Sequence, residues 1–217
     1  MAKMASSLHY LSGERLILGY GAGWFEGEYR AYGFDFPRPR VRVDMTEEAV
    51  KILKAMWTEA PVTFEGEYYK VENAYNEPRP TTPPILMLGM SGEQRAMGVV
   101  ARHADWWNTG ARPADELRGK LDALRGHCDA EGRDFATLRK TLNVRVYLAR
   151  SHADALARAE ERRRPNSHPI AGDPAAVREQ LAEYAELGFD FSVLTFSRFQ
   201  ELDDIKLSVD EVMPAFA

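Results

Sequence analysis

The chain has 217 residues, of which 45% are apolar and 28% charged, with a formal net charge of −5, enough chain to bury a substantial core. The mild acidic balance and the lack of a basic face point away from nucleic acid, and no apolar run reaches the roughly 18–20 residues that cross a bilayer. The single cysteine, Cys128, excludes an internal disulfide and a cysteine-built metal cluster, and the N-terminus carries no charged-then-apolar secretory pattern, so the expectation is a cytoplasmic, metal-free protein.

In chain order, short apolar runs alternate with helical patterns. Strands are predicted over "RLILGYG" (15–21), "PILMLGM" (84–90), "ADWWNTG" (104–110), "NVRVYLA" (143–149) and "DFSVLTF" (190–196). They are rich in branched and aromatic residues and bounded by Gly, Pro or Asn. Several are continuously apolar, as parallel strands covered on both faces should be. Between them, "DMTEEAVKILKAMWTEA" carries a stripe of Val50, Ile52, Leu53 and Met56, with Thr46 and Glu47 near its start. "SGEQRAMGVVARHA" opens at Ser91, a predicted N-cap. A helix with leucines at 117, 121 and 124 is stopped by Gly132, and "DPAAVREQLAEYAELG" has Asp173 as N-cap, Pro174 at its first position and Gly188 past its last turn. This alternation predicts a parallel α/β sheet.

Two stretches break the rhythm. Segments 32–43 and 61–84 are rich in aromatics and proline, and the second holds "VTFEGEYYKV", a hairpin with Glu65-Gly66 at its turn. Long decorated connections of this kind commonly carry substrate loops. Phe25, Tyr29, Phe34, Phe36, Tyr68, Tyr69 and Trp107 could equally line an apolar pocket or pack on the core.

The chemistry-bearing candidates are two strand ends. "GYGAGW" (19–24) fails the dinucleotide fingerprint, because Trp24 stands where the third glycine belongs, and no Gly-Lys-Ser/Thr loop is present. Gly19, Gly21 and Gly23 would let a flat ring lie against the backbone, or would simply make a tight strand-to-helix turn. At "LGMSGEQRA" (88–96), the backbone N–H groups of a helix start suit a phosphate, or serve an ordinary cap. The five histidines have no metal-ligand spacing. Arg162, Arg163 and Arg164 form a short basic run that reads as a solvated face or as a contact for an anionic tail. Glu26 and Glu28 follow the glycine strand, where acids suit a helix start; the rival to that reading is an acid/base role for either, with Glu28 also a candidate substrate contact.

Taken together, "LSGERLILGYGAGWFEGEYRAYGFDFP", "AVKILKAMWTEAPVTFEGEYYKVENAYNEPRP", "PPILMLGMSGEQRAMGVVARHADWWN" and "AGDPAAVREQLAEYAELGFDFSVLTF" resemble the luciferase-like monooxygenase superfamily, in particular its branch using the deazaflavin coenzyme F420. The resemblance spans nearly the whole chain and implies a (β/α)8 TIM-barrel type of α/β fold with the cofactor at the C-terminal strand ends. It places Gly19, Gly21, Gly23 and Trp24 beside the cofactor ring and makes Gly89, Met90, Ser91, Gly92 and Glu93 the phosphate-binding turn. It also sets Trp107, Asn108 and Thr109 at the next strand end, lining the pocket.

The implied function is hydride transfer between F420 and a small organic substrate. An FMN-dependent monooxygenase using FMNH2 and dioxygen, or an inactive barrel fragment, is the alternative. Where luciferase-type members keep an arginine for the flavin phosphate, this chain has Ala22, which favours F420. The departure is length: a full barrel takes about 250 residues, and the five strands read here match strands four to eight. The expectation is therefore one incomplete barrel domain over 1–217 with an inserted hairpin at 61–84. Its unpaired edges would be completed by a missing N-terminal segment or by a second copy in a homodimer.

Overall fold

The computed structural model describes residues 1–162, 167–196 and 202–216. Arg163 and Arg164 of the basic run lie outside them. The chain divides into two compact units: residues 1–107 with 123–138, and residues 108–122 with 139–217.

In the first unit, helix α1 (Ala2–Leu11) leads into strand β1 (Ile17–Tyr20), then the short α2 (Glu26–Ala31) and the long α3 (Pro39–Thr58). The hairpin β2 (Val62–Glu65) and β3 (Lys70–Ala74) follows, then β4 (Ile85–Leu88), α4 (Ala96–His103) and the start of β5 (Trp106–Gly110). β1 lies parallel to β4 in the register Ile17↔Ile85 to Tyr20↔Leu88, and β4 continues parallel onto β5 at Met87↔Trp106. The core below this sheet forms where α1 lays Ala2 and Ala5 against Leu53, Met56 and Trp57 of α3 and Val62 of β2. Trp57 is 1% exposed, and its indole N–H donates to the Ala2 carbonyl at 3.4 Å. A ring of that size fills the α1–α3 contact and ties it with one polar bond.

α3 corrects the reading of residues 32–43 as a connection. It begins at Pro39, whose missing N–H costs nothing in a first turn and whose fixed φ suits a helix. α4 corrects the predicted cap: the helix starts at Ala96 with Arg95 at the N-cap position, and residues 93–95 form a turn before it. The hairpin is antiparallel, pairing Phe64↔Val71 and Glu65↔Lys70, and closes with the Gly66 N–H donating to the Tyr69 carbonyl at 2.9 Å.

The second unit takes the end of β5 and the first part of α5 (Ala114–Ala130), then β6 (Arg139–Leu148), α6 (His152–Glu161), β7 (Ile170–Gly172), α7 (Pro174–Glu186), β8 (Phe191–Phe196) and α8 (Asp203–Leu207). β6 is its central strand, parallel to β7 at Val146↔Ile170 and to β8 from Thr141↔Phe191 to Val146↔Phe196. Leu142, Val144, Val146 and Leu148 of β6 are buried, as are Val177, Leu181 and Tyr184 of α7.

α7 follows its sequence signals closely. Asp173 accepts from the Ala176 N–H at 3.0 Å, Pro174 opens the helix, and Gly188 past its end has φ +95°. α5 stops two residues before Gly132, at φ +65°. β7, three residues long, is a parallel strand beyond the five legible in the sequence. Among the described residues β1 pairs with β4 alone and β8 with β6 alone, so each strand keeps one edge unpaired.

Candidate functional site

The two glycine-bearing strand ends come together in the first unit. The Gly89 N–H donates to the Tyr20 carbonyl at 2.9 Å, extending the β1–β4 ladder by one step. A Cβ on Gly21 would stand 3.3 Å from the Gly89 carbonyl oxygen, tighter than side chains ordinarily sit. Glycine at 21 is thus needed for the approach of the two strands themselves. Gly19, Gly21, Gly89 and Gly92 are exposed, and a Cβ at Gly89 would meet nothing closer than 3.9 Å, so bare backbone remains for a flat ring at that end.

Gly23 is different. It has φ +72°, and a Cβ there would collide with the Tyr29 phenol. The ring lying against this backbone is the chain's own Tyr29, brought across by α2. Trp24 is 85% exposed and stacks only on Phe25, with centroids 5.5 Å apart.

Beside Tyr20 and Gly21 lies a cleft of about 520 Å³. Tyr20 and Gly21 supply one wall, Tyr29 and Phe34 another, and Arg42 and Met45 of α3 the floor; Tyr68 and Tyr69 of the hairpin turn close it. Burial raises the pKa of the Tyr20 phenol, helped by Tyr69 and Tyr29; burial likewise raises Tyr69, helped by Tyr29 and Glu48. Tyr20 and Tyr69 thus remain neutral hydrogen-bonding groups near pH 7.

Two α3 side chains hold these walls. The Arg42 Nε–H donates to the Ala22 carbonyl at 3.2 Å and Nη1 to the Pro37 carbonyl at 2.5 Å, while its guanidinium lies 3.9 Å over the Phe36 ring. This staples the loop between β1 and α3. Glu48 accepts the backbone N–H groups of Glu67, Tyr68 and Tyr69 at 2.7, 2.9 and 3.0 Å. Burial pushes its carboxyl up, but these three donors outweigh it and hold the pKa below the usual range. A Cβ on Gly66 would collide with that carboxylate, so the turn glycine makes room for the anchor.

Of the candidates read from sequence, Gly21 lines the cleft. Gly89, Met90, Ser91, Gly92 and Glu93 follow the adjacent β4 end, Met90 buried and the others exposed. Glu28 sits exposed on α2, away from the cleft lining. Trp107 corrects its expected pocket role: it is fully buried, and its indole N–H donates to the Met90 carbonyl at 2.8 Å, fixing the backbone at the β4 end from beneath. Asn108 belongs to the second unit, where its amide donates to the Thr141 hydroxyl at 2.8 Å. Sequence reading missed Arg42 and Glu48, because both acceptor and donor sets are backbone groups of distant loops. Proline-arginine patterning before α3 and the Glu65-Gly66 turn are their only sequence traces.

A parallel sheet with ligand-sized space beside the C-terminal end of β1 is an α/β architecture of the TIM-barrel type. The family profile of luciferase-like monooxygenases matches residues 1–168, and the chain belongs to that family. An F420-dependent glucose-6-phosphate dehydrogenase of Kineococcus radiotolerans is 32% identical over 160 residues, covering 72% of this chain and 46% of that protein. An FMNH2-dependent dimethylsulfone monooxygenase of Pseudomonas putida is 27% identical over 132 residues, covering 60% of this chain and 36% of that protein. The chain thus spans less than half the length of these curated relatives. An F420-dependent secondary alcohol dehydrogenase, solved with an F420–acetone adduct, superposes on all of this chain and 74% of its own with a TM-score of 0.86 at 19% identity, a likeness of fold. Relatives of both cofactor types make this a luciferase-like oxidoreductase family member. No helix among the described residues is long and apolar enough to cross a membrane.

Proposed function

We propose that the chain is part of a cytoplasmic F420-dependent oxidoreductase that transfers a hydride between the deazaflavin and a small organic substrate. The observation that carries the reading is the junction of the β1 and β4 ends, where exposed Gly19, Gly21 and Gly89 leave bare backbone beside a cleft of about 520 Å³. The room for a planar cofactor is at Gly89, where a Cβ would meet nothing closer than 3.9 Å, while Gly21 faces the Gly89 carbonyl. Gly23, filled by Tyr29, serves the wall instead.

In this reading Gly19, Gly21 and Trp24 border the ring, and Gly89, Met90, Ser91, Gly92 and Glu93 offer the turn for the phosphate. When bound, F420 supplies or accepts the hydride. The chain's part is to orient it and to present the neutral phenols of Tyr20 and Tyr69 beside it. Glu28 is proposed as the acid/base group, and its exposure makes it the first of these roles to test. The 32% identical F420-dependent relative supports the deazaflavin.

The second reading, an FMNH2-dependent monooxygenase, is favoured by the dimethylsulfone monooxygenase similarity. Titration against F420 and against FMN, followed by cofactor fluorescence, separates the two. F420 binding at micromolar concentration is the expected outcome. FMN binding with reductase-coupled oxygen consumption would select the monooxygenase, and no binding of either below about millimolar would select an inactive fragment.

The unpaired β1 edge and the exposed Met4, Leu8 and Leu11 of α1, which share one helical stripe, support a covered assembly. The cover is proposed to be further βα units on a longer chain or a second copy. A stable monomer whose β1 amides resist hydrogen exchange would rule that out.

A further inference from the structure

Parallel strands normally carry apolar residues on both faces, and one row of the second unit departs from that. On β6, Arg139, Thr141, Asn143 and Arg145 alternate with the buried Leu142, Val144 and Val146. The register puts Thr141 beside Phe191, Asn143 beside Val193 and Arg145 beside Thr195 of β8. Paired residues of parallel strands share a face, so these six lie on one face, on which Thr141 is fully buried. Phe191 and Val193 are 38% and 39% exposed, and Asn143 is exposed as well.

Hydrogen bonding fixes which polar atoms of this surface remain available. The Asn108 amide donates to the Thr141 hydroxyl at 2.8 Å, and the Thr195 hydroxyl donates to the Asn143 carbonyl oxygen at 3.0 Å. The second bond leaves Asn143 presenting its NH2, a pure donor. Two residues along the same face, Arg145 is half-buried and meets no carboxylate or other acceptor among the described residues. Arg139, in the same row, is matched by Asp190 at 3.1 Å and lies 5.3 Å over the Phe191 ring. A half-buried guanidinium without a counter-charge is costly to keep in a strand. Arg145 also sits three residues before the C-terminal end of β6, at Leu148, the end of the strand where barrel enzymes place their ligands.

We propose that Arg145 and the Asn143 amide form the anion anchor of a substrate subsite on this sheet face, which takes a small organic oxyanion with an apolar body. The guanidinium fork and the NH2 group supply only donors, matching a phosphate or carboxylate head, and Val193 and Phe191 continue as the apolar floor. Naming the anion a substrate rests on the oxidoreductase reading; the binding itself does not.

The test is calorimetric titration of the full chain, free of cofactor, with phenyl phosphate, benzoate and the neutral benzyl alcohol. The two anions are expected to bind and the alcohol not to bind measurably. Arg145→Gln should weaken the anions by at least about tenfold, the loss of one charge-assisted contact. Because that variant could misfold, Arg145 in the wild-type chain is also to be modified with phenylglyoxal and read by peptide mass spectrometry. Protection by phenyl phosphate is the expected result.

Equal binding by wild type and Arg145→Gln, absent protection, or equal binding of the alcohol would each overturn the anchor. Saturating F420 or FMN should leave phenyl phosphate bound; displacement by either would assign the anion to the cofactor and overturn the substrate assignment. A chain that binds phenyl phosphate through Arg145 but neither cofactor would sink the oxidoreductase reading while leaving the anchor intact.

Discussion

The two units use their charged groups in opposite ways. In the first, Arg42 and Glu48 are committed to backbone: two carbonyls and a ring for one, three N–H groups for the other. Their work is to hold loops around a cleft whose own lining is largely phenolic and apolar. In the second, Asn108 bonds Thr141 and Thr195 bonds Asn143, and Arg145 has no such bond among the described residues. A buried or half-buried charge can therefore mean scaffold or ligand, and the list of its partners decides which.

The largest effect that would sharpen this contrast is Trp57→Ala. Removing a fully buried indole should cost about 4 kcal/mol, measured by chemical denaturation, with hydrogen exchange accelerating first in α1 and α3. An unchanged midpoint would mean that the first unit does not depend on this core. Glu48→Ala comes next, at about 2 kcal/mol for a carboxylate holding three backbone donors. The amides of Glu67, Tyr68 and Tyr69 should lose protection, and retention of it would deny Glu48 its scaffold role. Gly23→Ala should cost about 1–2 kcal/mol, since it combines a positive φ with a clash against Tyr29; an alanine tolerated without loss would show that Tyr29 does not pack there.

The smallest effect is the pH dependence. Burial lowers the His103 pKa, against the opposing pull of Glu47. For Glu47, burial raises the pKa, but bonds from Arg102 and His103 outweigh it, and Glu48 is lowered by its three amides. All three groups bind fewer protons folded than unfolded, so each makes stability fall as pH falls. The loss should begin near the ordinary histidine value of 6.5 and continue below the ordinary glutamate value of 4.5. Glu48→Gln should flatten only the lower part of a denaturation midpoint series, and a series that rises toward acid would contradict these assignments.

Much of the fold was legible because local signals were strong. The strand at Ile17–Tyr20, the hairpin around Glu65-Gly66, and α7 with Asp173, Pro174 and Gly188 all lie where patterning placed them. β7 escaped because three residues, Ile170–Gly172, are too few to show a period. The start of α3 was hidden by the aromatic and proline content of residues 32–43, although Pro39 is itself a helix-opening residue. Ser91 looked like a cap because serine commonly is one, yet the chain makes a turn first and enters the helix at Ala96.

The candidate site was legible in outline only. "GYGAGW" and "LGMSG" marked the two strand ends, but which glycine serves what depended on neighbours that sequence does not name. Gly21 faces Gly89, Gly23 faces Tyr29 and Gly66 faces Glu48, and Trp107 turned from pocket wall to support for Met90.

Periodicity, capping residues and turn glycines act within a few residues of chain, so the sequence by itself determined the α/β alternation, the family and the positions of the bare strand ends. The partners of Arg42 and Glu48 lie up to 21 residues away, and the strand neighbour of Arg145, Thr195, comes from β8. Only the tertiary structure, by bringing those segments within hydrogen-bond distance or leaving them apart, decided which of these charges are bound to backbone and which are not.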